Sequence, residues 1–134
     1  MAYRLATATR NAACNAIVDA LDSGGAGTIQ IRTGSQPTNV ADAAGGTLLG
    51  TLTFSATAFG NAATGVATAA SITSDTSADN SGTAGHARIL DGSAAIHSDA
   101  DCAQGSGSFN FDNNVIVAGG IIAVSSMTVT VPIS

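Results

Sequence analysis

The sequence predicts a mainly β domain, an antiparallel β-sandwich with jelly-roll-like character, preceded by a single N-terminal α-helix. Three observations predict it. Apolar residues follow a helical period only over residues 1–22 and alternate with a period of two afterwards. Turn signals rich in Gly, Asn, Asp and Pro then cut the rest of the chain into about eight short segments, with no second helical stretch to make a βαβ unit. The composition suits pleated strands: of 134 residues, 27 are Ala, 16 Gly, 16 Thr and 14 Ser, and β-branched threonine packs well on a sheet. The length fits one domain over 1–134, divided into a helical segment at 1–25 and a sandwich at 26–134.

The helix comes first. Cys14, Ile17, Val18 and Leu21 fall at i, i+3, i+4 and i+7 and form one narrow apolar stripe. Asn11, Asn15, Asp19 and Asp22 occupy the opposite face. Thr7 or Thr9 is placed to cap the start, and Gly24-Gly25 to end the helix in the left-handed conformation that closes a last turn.

From Thr28 to Thr33, Ile29 and Ile31 share one face and Gln30 and Arg32 the other. Gly34-Ser35-Gln36-Pro37 reads as a turn and 39–46 as a loop. A second strand runs from Thr47 to Phe54, with Leu48, Leu52 and Phe54 inward and Thr51 and Thr53 outward. Gly65 to Ile72 is a third, carried mostly by Ala and Thr. The stretch 73–83 has no large apolar side chain and reads as an exposed loop. Ala84 to Leu90 is a strand, Asp91-Gly92 a turn, 94–97 a short strand and 98–107 a polar loop. Ser108 to Asp112 sets Phe109 and Phe111 on one face before a turn at Asn113-Asn114. Val115 to Val117 is a short strand broken at Gly119-Gly120. The last strand spans Ile121 to Val131, with Met127, Val129 and Val131 inward and Thr128 and Thr130 outward, and Pro132 ends it.

Charge excludes whole classes of function. The charged residues are nine Asp and four Arg, with neither Lys nor Glu, for a net charge of −5. Nucleic-acid binding needs a basic footprint that four scattered arginines do not make. No stretch approaches the roughly 18 apolar residues of a membrane span, and the N-terminus lacks the apolar run of a secretory signal, which points to synthesis in the cytoplasm. Cys14 and Cys102 are read as buried or partly buried free thiols.

Few residues suggest chemistry. Asp75 to Gly82 spaces oxygen-bearing side chains as a calcium loop does, but glycine falls at the eighth position and His86 stands where a bidentate Glu belongs. His97, Asp99, Asp101 and Cys102 offer metal-ligand types in a single segment, whereas zinc sites draw on at least two with defined spacing. Both are read as solvated loops. No serine lies in a G-x-S-x-G elbow, and the glycine pairs lack a phosphate loop's Lys. Arg4, Arg10, Arg32 and Arg88 are read as structural or intersubunit ion-pair partners. The expectation is a non-enzyme with no catalytic residue, cofactor or metal. Short hydroxyl and methyl side chains lose little entropy when covered, so the surface suits extensive protein contact. Leu5, Ile17, Leu21, Ile121 and Val129 are the residues expected to serve as assembly contacts or core.

Several segments carry a resemblance. Arg10 to Pro37 (R-N-A-A-C-N-A-I-V-D-A-L-D-S-G-G-A-G-T-I-Q-I-R-T-G-S-Q-P) resembles the opening of small virion structural proteins of tailed bacteriophages. G-T-L-L-G-T-L-T-F at 46–54, A-F-G-N-A-A-T-G-V-A-T-A at 58–69, G-T-A-G-H-A-R-I-L-D at 82–91 and M-T-V-T-V-P at 127–132 resemble the same group. The family usually has an aromatic residue where this chain has His86. The resemblance implies a head decoration (cement) protein on the capsid surface of the virion, clamping neighbouring capsomers of the expanded shell. Its implied partners are the major capsid protein and further copies of itself, as a homotrimer. A tail, neck or fibre-base component, or an adhesive surface module, is the alternative.

Overall fold

The computed structural model describes residues 3–104, 109–111 and 114–134, and it is mainly β with one N-terminal helix. The helix α1 spans Thr7–Asp19 and tightens into a 3-10 turn at Ala20–Asp22. Cys14, Val18 and Leu21 are buried, while Ile17, at the margin of the stripe, is 41% exposed. The start of the helix departs from expectation. Its N-cap is Ala6, which provides no side-chain cap, and Thr7 and Thr9 lie inside the helix. Residues before it form an irregular lead in which the Leu5 N–H donates to the Ile133 carbonyl at 2.9 Å. Gly24 and Gly25, at φ +80° and +127°, end the helix where the sequence places its stop.

The strands are β1 (Thr28–Thr33), β2 (Leu48–Thr53), β3 (Val66–Thr68), β4 (Gly82–Leu90), β5 (Ile96–Gln104), β6 (Phe109–Phe111), β7 (Val115–Ile116) and β8 (Thr128–Thr130). The larger sheet runs β2-β1-β4-β5-β6, with β7 beside the start of β4, and β3 and β8 make a separate two-stranded ribbon. The pairings are antiparallel except for β5 with β6.

The two faces of the larger sheet differ in kind. On one, Ile29 and Ile31 of β1 lie beside Leu52 and Gly50 of β2 and beside Ile89 and Ala87 of β4. These residues join Cys14, Val18 and Leu21 of the helical segment in a single core, whose outer margin includes Met127, Val129 and Val131. Each large aliphatic group buried there contributes about 1.5–3 kcal/mol. On the other face, cross-strand rows set Gln30 beside Arg88 and Asp99, and Arg32 beside His86 and Asp101.

That polar face is covered by the connection 34–46, which offers main-chain oxygens to it. Arg88 donates to the carbonyls of Asp42 at 2.7 Å and Val40 at 3.2 Å, and Arg32 to that of Gly45 at 3.0 Å. His86 Nδ1 donates to the Gly34 carbonyl at 3.0 Å. His86 is consequently fully buried and Arg88 nearly so. Gly85 is required by this crossing, because a Cβ there would stand 2.2 Å from the Gly34 oxygen.

Several elements differ from the sequence reading. Register shifts between Ile31 and Arg32, so that Arg32 pairs with Leu48 and the extra residue, Leu49, enters the core while Leu48 is half-buried. Residues 73–83 are not simply an exposed loop. Thr73 bridges Thr53, the Asp79 N–H donates to Leu49 at 2.7 Å and Ala78 is buried, so the segment seals the outer edge of β2 before β4 begins at Gly82. The loop expected at 98–107 is strand as far as Gln104. The last strand is shortened to Thr128–Thr130, with Ile122 held separately by a bridge to Asp75. The third strand contracts to Val66–Thr68. Phe109 and Phe111 lie on β6, whereas Ser108, Asp112 and Asn113 fall outside the described residues.

Candidate functional site

The strand β8 runs back along α1. Ile133 meets Leu5 ahead of the helix, and the Cys14 Sγ–H donates to the Val129 carbonyl at 3.3 Å midway along it. Met127 therefore lies toward the helix C-terminal end. On its other side the helix is tied down by its amide stripe. Asn11 accepts from the Gly65 N–H at 2.8 Å, Asn15 from Ala62 at 2.7 Å and Asp22 from Ala58 at 2.9 Å. The face opposite the apolar stripe is thus a ladder of acceptors for the main chain of 58–65.

With both sides of the helix fixed, a gap remains between its last turns, β8 and β5. It is a cleft of about 270 Å³ whose walls are Ile17, Leu21, Ile89, Ala100, Met127 and Val129, with His97, Ser98, Asp99 and Thr128 also contributing. The outer side of β5 opens here, since β6 pairs only with Cys102 to Gln104. His97 is the extra residue of a bulge, because Ile89 faces Ser98 and Leu90 faces Ile96. The bulge turns its ring to the helix, where Nε2 lies 2.7 Å from the Ile17 carbonyl and Nδ1 2.9 Å from the Ser98 hydroxyl. A carbonyl only accepts, so Nε2 carries the proton and Nδ1 accepts from Ser98.

This cleft gathers three of the five expected contact residues. Ile17 stands at its mouth, Val129 is half-buried in its wall and Leu21 lines its floor. Leu21 is 1% exposed, which places it in the core, one of the two roles expected of it. Leu5 is half-buried at the far end of the helix, and Ile121 is 71% exposed after the turn at 117–120. The sequence reading missed Ser98 and Ala100 as wall residues because it placed 98–107 in a loop, and His97 because it ended the strand there. The available signal was the alternation of Ser98, Ala100 and Cys102 with Asp99 and Asp101.

The residues singled out for chemistry diverge. Asp75 accepts from Thr51 and Ser77 main-chain N–H groups, both at 2.9 Å, and so organises a turn. Asp99 pairs with Arg88, His97 reaches the helix and Cys102 is buried. Among the described residues, no three His, Cys, Asp or Glu side chains converge as a metal site would need. Cys14 and Cys102 are buried free thiols, in line with the sequence reading. Burial, reinforced by the charge of Asp101, pushes the Cys102 thiol up to about 12. Arg10 donates to the Thr64 carbonyl, and Arg32 and Arg88 are bound to the 34–46 connection. The Arg4 guanidinium has no partner among the described residues.

The cleft is smaller than the roughly 300–1,000 Å³ of a usual small-molecule site. Apolar walls with a hydroxyl and an imidazole at hand suit a single large side chain. No helix among the described residues is long and apolar enough to cross a membrane. Comparison of the chain with protein families, with curated proteins and with solved structures finds no match in any of the three.

Proposed function

We propose that this protein is a structural component of a tailed-bacteriophage particle, and specifically a decoration protein that binds the outer surface of the expanded head and bridges its capsomers. The reading begins from the virion-protein likeness of the segments from Arg10 to Pro132. The observation that carries it further is a division of labour among side chains. Those able to do chemistry are engaged in holding the framework: Arg88 with Asp99, Asp75 and Asp22 with main-chain N–H groups, and His97 with the helix. Large apolar side chains, in contrast, stand in solvent, with Val115 55%, Val117 65% and Ile121 71% exposed. A surface of this kind gains by being covered. Apolar contact repeated over many copies strengthens a shell without any strong single site.

Co-sedimentation of the purified protein with expanded, undecorated heads, with separated tails as control, tests the proposal. Saturable binding to heads at a ratio set by the lattice is expected. Binding to tails alone would move the protein to the tail or neck, and binding to neither would remove the virion reading.

A further inference from the structure

We propose that the cleft between α1, β5 and β8 receives the N-terminal arm of a second copy of this chain, with Tyr3 of one copy inserted beside Ile17 of the next. Tyr3 is the sole tyrosine, and at 82% exposed it is the most exposed of the large apolar side chains. It precedes Arg4, whose guanidinium is the one arginine head group without a partner among the described residues. The arm therefore presents an uncovered ring and an uncompensated cation on a molecule whose net charge is −5. Another copy carries the same net negative charge and so attracts that cation.

The cleft has the matching chemistry. Ile17, Ile89, Met127 and Val129 provide walls for a ring, and Ser98 and Thr128 provide hydroxyl groups within the same cavity for the phenol O–H. Tyrosine is suited to such a site, with an apolar body that gains from burial and a polar tip that needs a partner.

Reach decides which copy supplies the arm. Leu5 is fastened to Ile133 before the first turn of the helix. The Tyr3 Cα lies two residues beyond that bond, no more than about 7 Å from it, and its ring adds about as much again, which still stops short of Ile17. The cleft opens at Ile17, about 15 Å further along the helix axis than Thr7. An arm cannot enter the cleft of its own chain, so its ring must come from a neighbour. The contact joins two different surfaces, one at each end of α1, and such a contact closes into a ring or continues as a chain. It does not rest on the head-binding reading, because it concerns the protein alone.

Sedimentation equilibrium on the purified full chain, without heads, tests the contact. Wild-type protein is expected to self-associate, and Tyr3→Ala to weaken association by roughly 30-fold, the loss of one aromatic anchor. Arg4→Gln is expected to weaken it by roughly two- to fivefold and to reduce its salt dependence. The sharpest measurement mixes two variants. Tyr3→Ala has a cleft and no anchor, while Ile17→Arg has an anchor and a blocked cleft; Thr128→Trp, at an exposed position, is a second way to block it. Each is expected to be monomeric alone where wild type associates, and the mixture to form a one-to-one heterodimer. A monomeric wild type, a Tyr3→Ala protein that associates normally, or a mixture that stays monomeric would each overturn the proposal.

Discussion

Asp99 holds the guanidinium of Arg88 through two parallel bonds, Nε to Oδ1 at 2.8 Å and Nη2 to Oδ2 at 2.9 Å, with both side chains almost wholly withdrawn from water. The hydrogen bond to Asp99 raises the proton affinity of Arg88 against the opposing effect of burial. The remaining donors of Arg88 reach two carbonyls of the 34–46 connection, so the pair fixes this cover to the sheet. Removing one partner leaves a buried charge uncompensated. Asp99→Ala is expected to cost about 3–5 kcal/mol in urea denaturation. The double variant Arg88→Met/Asp99→Leu is expected to recover most of that loss, while amide exchange in 34–46 rises in both.

Asn15 is the middle rung of the ladder that binds α1 to 58–65. Asn15→Ala removes the acceptor and leaves the partly buried Ala62 N–H without one, a loss of about 1–2 kcal/mol. Asn15→Asp retains an acceptor oxygen and is expected to lose less. Thermal unfolding followed by circular dichroism ranks the two.

Cys102 gives the protein a pH dependence of definite sign. Its thiol is raised from 9.0 to about 12, first by burial and then by Asp101. Between those values the unfolded chain releases a proton that the folded chain keeps. The contribution is therefore present in full below the lower value and is lost as pH rises toward the upper one. Stability is expected to fall through this alkaline window, and Cys102→Ala to flatten the decline. At pH 8 the native thiol is expected to resist iodoacetamide, and unfolding in urea to make it reactive.

His86 tests how the polar layer tolerates an aromatic ring. Its Nδ1 binds Gly34, while its Nε2 is buried without a partner. His86→Phe gives up one hydrogen bond and removes one unsatisfied acceptor, so the net change is expected to stay within about 1 kcal/mol. His86→Ala opens a cavity and is expected to cost about 2–4 kcal/mol. Equal losses for the two would show that the bond to Gly34, rather than ring volume, sets the stability of this layer.

The sequence makes some elements legible for identifiable reasons. Ile29 and Ile31 alternate with polar neighbours, and Gly24-Gly25 follows a helical stripe, so β1 and the helix end are both predictable. β5 is obscured because its core-facing residues are Ser98, Ala100 and Cys102, too small or polar to register as an apolar face. Its acidic residues appear suited to solvent until Arg88 is found across the strand. The edge-sealing role of 73–83 is hidden for another reason: it depends on main-chain bonds to Thr53 and Leu49 and on polar side chains, Asp75 to Thr51 and Asn80 to Leu48, which make no apolar pattern. Ile17, Leu21 and Val129 are identifiable one by one from their spacing. Their meeting in one cleft depends on β8 running back along the helix, a relation between segments distant in the chain.

The fastening of the 34–46 connection has a consequence for variation. Arg32, His86 and Arg88 bind the carbonyl oxygens of Gly45, Gly34, Asp42 and Val40, and a carbonyl is common to every amino acid. The side chains of Ser35, Gln36, Thr38 and Val40 point into solvent and contribute nothing to that attachment. The segment is held by its shape, which fixes Gly34 and Gly46 at φ +80° and +70° but leaves the lettering of those exposed positions free. Positions 35, 36, 38 and 40 can be rewritten, or carry a grafted epitope, with the anchorage to the sheet unchanged.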